Sequence, residues 1–173
     1  MDEIIHKVNC MNNDVARIIN KLSGEPCLRK AVGRMKSLSL GFGSEAVRPT
    51  KPENKPYRAW ELGTYRSAWR VVQGRTVLCG SQDAADPNEL TTALQSIDLD
   101  RFASLQQLND LDIRMEFSNG VAVELFATMS DDDEYFHVFC PDNVYIEVSV
   151  REGWKIGRSN KPWNEAGDLG PRG

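Results

Sequence analysis

The sequence predicts an α+β fold, an antiparallel β-sheet of hairpins with two or three packed helices. Short runs of alternating apolar residues recur on either side of turn residues, the pattern of hairpin strands. Two other segments space their apolar residues at helical intervals. A composition of 40% hydrophobic and 27% charged residues over 173 positions is that of a soluble globular chain with one real core. Residues 1–157 are expected to form a single domain carrying an exposed Pro-rich loop at 45–59. The stretch 158–173, poor in aliphatics and rich in Gly and Pro, reads as a flexible C-terminal tail.

The first helix is predicted in NNDVARIINKLSGEP, where Val15, Ile18, Ile19 and Leu22 make one apolar stripe. Asn12 or Asn13 can cap it, and Gly24 with Pro26 stops it. Met35, Leu38, Leu40 and Phe42 then alternate as a strand. Its Gly41-Phe42-Gly43 lacks the third glycine and the following helix that a phosphate loop requires. Pro49, Pro52 and Pro56 mark the exposed loop. Two β-prone runs around Gln73-Gly74 predict a hairpin with Trp69, Val71, Val77 and Cys79 on its apolar face and Arg70 outward. Asp86-Pro87 opens a second helix with Leu90, Ala93, Leu94 and Ile97 inward. Phe102, Leu105 and Leu108 either continue that stripe or begin a strand.

In LDIRMEFSNGVAVELFA the side chains select the register. A two-residue Asn-Gly turn would set Met115 against Glu124. A three-residue loop from Ser118 to Gly120 instead pairs Ile113 with Leu125, Met115 with Val123 and Phe117 with Val121. It also sets Arg114 opposite Glu124 on a wet face, with Gly120 in the left-handed position of a bulge. A further hairpin turns at Pro141-Asp142-Asn143, with Phe136, Val138 and Cys140 sharing one face and Val144, Ile146, Val148 and Val150 sharing a face on the return. REGWKIG adds a last strand.

Catalytic and metal-binding sets are sparse. Cys10, Cys27, Cys79 and Cys140 are scattered, histidine occurs only at His6 and His137, and no C-x-x-C exists, so neither a metal nor a cofactor is expected. Cys79-Gly80-Ser81 does not match the G-x-S-x-G elbow, and Cys79 occupies a place suited to a small buried hydrophobe. An enzyme reading, a hydrolase or transferase, needs Cys79 or His137 to meet a carboxylate such as Asp83 or Asp112 in space. No apolar run is long enough for a bilayer, and the N-terminus does not read as a secretory signal. The expected compartment is the cytoplasm.

The net charge of −4 conceals an asymmetry of +7 up to Arg75 and −11 after it. Arg29, Lys30, Arg34 and Lys36 cluster in the basic half, but a sequence pI near 5.3 and the absence of interleaved aromatics argue against nucleic-acid binding. The acidic half holds Asp110, Asp112 and the run Asp131, Asp132, Asp133, Glu134. That run reads as a solvated loop, as a metal loop lacking the calcium-loop spacing, or as a recognition surface for a basic protein.

The pattern WELGTYRSAWRV…VLCGSQD…LDIRMEFSNGVAVELF resembles small bacterial α+β domains, some of them immunity proteins of polymorphic-toxin or contact-dependent inhibition systems. Trp69-Arg70, Gly80-Ser81 with Asp83, and Phe117 to Gly120 carry the resemblance, over the middle third of the chain. It implies a non-enzymatic inhibitor that binds one cognate toxin domain, such as a basic nuclease. Asp131, Asp132, Asp133, Glu134, Asp110 and Asp112 are then the expected contacts.

Overall fold

The computed structural model describes residues 11–46 and 57–160. In chain order these form α1 (Asn13–Asn20), β1 (Cys27–Val32), β2 (Leu38–Ala46), β3 (Tyr57–Thr64), β4 (Ala68–Gln73) and β5 (Thr76–Gly80). There follow α2 (Pro87–Gln95), β6 (Phe102–Gln107), β7 (Ile113–Phe117), β8 (Val121–Phe126), β9 (Glu134–Phe139), β10 (Val144–Ser149) and β11 (Gly153–Arg158). All strand pairs are antiparallel, and two helices accompany them.

The expectation of one sheet is corrected to two. A six-stranded sheet runs β1-β2-β3-β9-β10-β11, and a five-stranded sheet runs β5-β4-β8-β7-β6. The chain changes sheet twice, between Thr64 and Ala68 and between Phe126 and Glu134. Local hairpin signals reveal neighbouring strands but not which hairpins join, and so they cannot distinguish one sheet from two.

A single core spans both sheets. Phe42 of β2 stacks on Phe117 of β7 at 6.2 Å and meets the edge of Phe102 of β6 at 5.9 Å. Each is almost fully enclosed, and burying a side chain of this size contributes about 2 to 3 kcal/mol. Val15, Ile19 and Leu22 of the α1 segment and Leu90 and Leu94 of α2 join the same core. Asn12 caps α1 by accepting from the Val15 amide, and Asp86 caps α2 by accepting from the Asn88 amide.

The register predicted for β7 and β8 is observed: Ile113 faces Leu125, Arg114 faces Glu124, Met115 faces Val123, and Gly120 has φ +82°. The β9–β10 pairing also follows expectation, with Ile146 opposite Val138 and Val148 opposite Phe136.

Several boundaries differ. Met35 lies outside the strand, at φ 55° and largely exposed, because the chain makes a single left-handed turn before β2. Val77 is exposed rather than inward, because a slip in register between Val71 and Val72 rotates it off the apolar face. Glu45 and Ala46 belong to β2, and Tyr57, Arg58 and Ala59 to β3, so the ends of the expected 45–59 loop pair as strands. The prolines between them lie outside the described residues, as does 161–173 of the expected tail. Arg158 pairs with Val144 in β11, and the Ser159 amide donates to Asn143 O.

Candidate functional site

Antiparallel pairing across the six-stranded sheet aligns two rows of side chains on the face turned away from the core. One row runs Arg29, Gly41, Glu61, Phe139, Tyr145, Gly157, and the next runs Ala31, Ser39, Gly63, His137, Glu147, Lys155. The intervening positions Leu40, Leu62, Val138 and Ile146 point into the core, as the two-residue period of a strand requires.

Glycine makes room on this face. A Cβ on Gly63 would lie 2.5 Å from His137 Nε2, so the imidazole rests directly over the β3 backbone. A Cβ on Gly41 would lie 2.9 Å from Arg58 Cγ and 3.1 Å from Glu61 Oε1. Over these glycine floors opens a recess of about 140 Å³, lined by Arg29, Ser39, Tyr57, Glu61, Leu62, His137 and Phe139.

At one wall Glu61 is only 5% exposed. Its Oε2 accepts from Arg29 Nη2 at 2.5 Å, while Oε1 accepts from Arg29 Nε at 3.3 Å and from the Arg58 amide at 2.7 Å. Arg29 Nη2 also donates to Ser39 Oγ at 2.6 Å. This bidentate, charge-assisted clamp fixes the guanidinium plane.

At the other wall His137 stacks on Tyr145 at 6.0 Å and meets Phe139 edge-on at 5.5 Å. A register slip between Val148 and Ser149 brings Glu134 opposite Ser149, and its Oε1 lies 3.2 Å from His137 Nδ1. The Nδ1–H is not aimed at that oxygen, so the contact is electrostatic rather than an aligned hydrogen bond. Tyr145 Oη donates to Glu134 Oε2 at 2.6 Å. Burial pushes the Glu134 carboxyl up, but the nearby His137, then hydrogen bonds from Tyr145 and Glu147, hold it below the ordinary carboxylate range. Its neighbour Glu147 moves the other way, to about 7, through burial and sharing of a proton with Glu134, against the pull of Lys155. Burial, followed by the charge of Glu134, raises Tyr145.

The sequence-predicted contacts do not converge. Asp131 and Asp133 lie 3.1 and 3.6 Å from Arg66 Nη1, which neutralises them from the β3–β4 connection. Asp132 accepts from the Arg151 amide at the β10–β11 turn. Asp112 accepts from Asn109 Nδ2 and the Ala127 amide, and Asp110 is exposed on the β6–β7 turn. Of the six, only Glu134 belongs to the face that carries His137.

Cys79 is 1% exposed in β5 of the other sheet, its thiol raised by burial and then by Asp83. The structure therefore does not bring it to His137. Among the described residues, no group of His, Cys, Asp and Glu has the arrangement to hold a metal ion. Nor do Arg29 and Lys30 act together: Lys30 Nζ turns to the carbonyls of Gln95 and Ile97 at the end of α2.

The motifs that carried the resemblance have local duties. Ser81 and Trp69 exchange hydrogen bonds, Ser81 Oγ accepting from the Trp69 amide at 3.2 Å and the Ser81 amide donating to Trp69 O at 2.9 Å. Asp83 Oδ2 accepts from the Gly80 amide, and Arg70 pairs with Glu124.

Tyr57, Glu61, Tyr145 and Glu147 were not singled out in the sequence, and Arg29 only as one of a basic cluster. The signal open to reading was alternation: in VYIEVSV, Tyr145 and Glu147 alternate with Val144, Ile146 and Val148. No protein-family model matches this chain, and neither does any curated protein or solved structure.

Proposed function

We propose that this chain is a partner-binding protein of the immunity type, acting in the cytoplasm to neutralise a cognate toxin domain, such as a basic nuclease, by direct contact. The binding surface in this reading is the outer face of the six-stranded sheet, with the acidic segment Asp131 to Asp133 beside it. One observation carries it: Arg29, Tyr57 and His137 stand half-buried on a rigid sheet, with Tyr145 buried beside them and their neighbours already fixed. Tyr and Arg anchors of this kind dominate binding energy, and side chains held in place before contact lose little entropy on association. Asp133 remains 67% exposed despite Arg66, which leaves negative potential to steer a basic partner.

Calorimetry with the product of the adjacent gene tests the reading. Tyr57→Ala and His137→Ala are expected to weaken the complex at least tenfold, mainly by faster dissociation. Charge reversal at Asp132 and Asp133 is expected to slow association at low salt. Absence of any complex sinks the assignment. A complex indifferent to Tyr57 and His137 moves it off this face.

A further inference from the structure

The recess between Arg29 and His137 presents more donors than acceptors. Glu61, the one carboxylate in its wall, is enclosed and already accepts from Arg29 and the Arg58 amide. Ser39 Oγ accepts from Arg29, which leaves its own proton free to be given. Arg29 Nη1, Tyr57 Oη and His137 Nε2 have no hydrogen-bond partner among the described residues. A cation entering here would find its acceptor taken, whereas an anion would meet the Nη1 protons of Arg29 and two hydroxyls.

The shape narrows the class of anion. Phe139 and the ring of Tyr57 supply flat apolar wall beside the polar groups. The volume of about 140 Å³ is close to that of a cavity that holds one benzene ring. Glu61 and Ser39 take Nε and Nη2 of Arg29, which leaves the two Nη1 protons for a carboxylate oxygen.

We propose that this recess is a carboxylate-binding site, taking a planar acid or a carboxylate side chain with its charge against Arg29 and its flat body against Phe139. This goes beyond the toxin-binding reading, and its test with small acids is independent of any toxin complex.

The experiment is titration of the full chain, followed by amide chemical shifts and calorimetry, with benzoate and with N-acetylglutamate α-amide. Benzamide and N-acetylglutamine α-amide serve as the neutral counterparts. At least one acid is expected to bind with a dissociation constant of about 1 mM, tenfold or more tighter than its amide, shifting the signals of Tyr57, His137 and Phe139. If benzoate is preferred, a free acid is the natural source; if the blocked glutamate is preferred, a protein side chain is.

Removing Arg29 alone strands the buried Glu61, so the informative variant is Arg29→Gln with Glu61→Gln, which removes both charges together. It is expected to weaken binding more than tenfold. Tyr57→Phe, which keeps the ring, is expected to weaken it about threefold. Arg75→Gln, exposed on the β4–β5 turn of the other sheet, is expected to leave it unchanged. Equal binding of acid and amide, no binding of either acid, or an undiminished affinity in the double variant overturns the proposal.

Discussion

Arg70 and Glu124 face each other across β4 and β8, Nε to Oε2 at 2.5 Å, and Arg114 of β7 closes on the other oxygen at 2.7 Å. Glu124 is thus the centre of a three-strand ladder and is 7% exposed. Burial works to raise its carboxyl, but the two guanidinium groups hold it below the ordinary range. Glu124→Gln keeps the shape and removes the charge from two cations at once, so it is expected to cost about 2 kcal/mol in urea unfolding. Arg70→Ala, at a side chain 48% exposed, is expected to cost about 1 kcal/mol or less. Equal, small effects of both changes would reduce the ladder to ordinary surface pairing.

Gly63 and His137 form a second cross-strand relationship with a measurable consequence. Because a Cβ at position 63 would meet the imidazole at 2.5 Å, Gly63→Ala forces the ring away from β3. The expected cost is about 1 to 3 kcal/mol, the range for overpacking. In a His137→Ala background the clash has no partner, and the same change is expected to cost about 0.5 kcal/mol or less. A cycle that closes additively would show that the ring does not rest on Gly63.

The β7–β8 hairpin was legible residue by residue, since its turn and both its faces lie within one short stretch. The environment of its Arg114–Glu124 pair was not. The pair was expected on a wet face, but β4 places Arg70 against Glu124, and that neighbour comes from far upstream. The recess was hidden for the same reason. Its walls come from β1, β2, β3 and β9, and the pairing of Glu61 with Phe139 that closes it is long-range. Strand β3 was further masked by the prolines before Tyr57, which drew Tyr57, Arg58 and Ala59 into the expected loop. Local alternation predicts which residues share a face; it does not predict which strands lie side by side.

The cysteines supply a test of the core. Cys79 and Cys140 are each 1% exposed, and the Cys27 thiol is pushed up to about 12 by burial. Thiolate is the reactive form, so none of the three is expected to react with an aromatic disulfide reagent at pH 8 in the folded protein. In a Cys10→Ser variant, labelling is expected to appear only in step with urea unfolding. Rapid labelling of native Cys79 would contradict its enclosure and restore a nucleophile to consideration.

Glu147 predicts how stability depends on pH. Its folded value of about 7 lies above the ordinary 4.5, so over that interval the folded chain holds a proton that the unfolded chain has released. The proton-linked contribution of Glu147 is therefore favourable below about pH 4.5 and is lost as pH rises through 7. Glu134 opposes it: its depressed carboxyl gives stability that is present above the ordinary range and is lost toward acid. His137, Tyr145 and Lys155 complete the charged and titratable groups around the pair. Glu147→Gln mimics the protonated side chain at every pH. It is expected to match the parent near pH 5 and to unfold at higher urea than the parent at pH 8, flattening the decline between them. A variant less stable than the parent at pH 8 would show that the ionised Glu147 is favourably paired, with Lys155 outweighing Glu134.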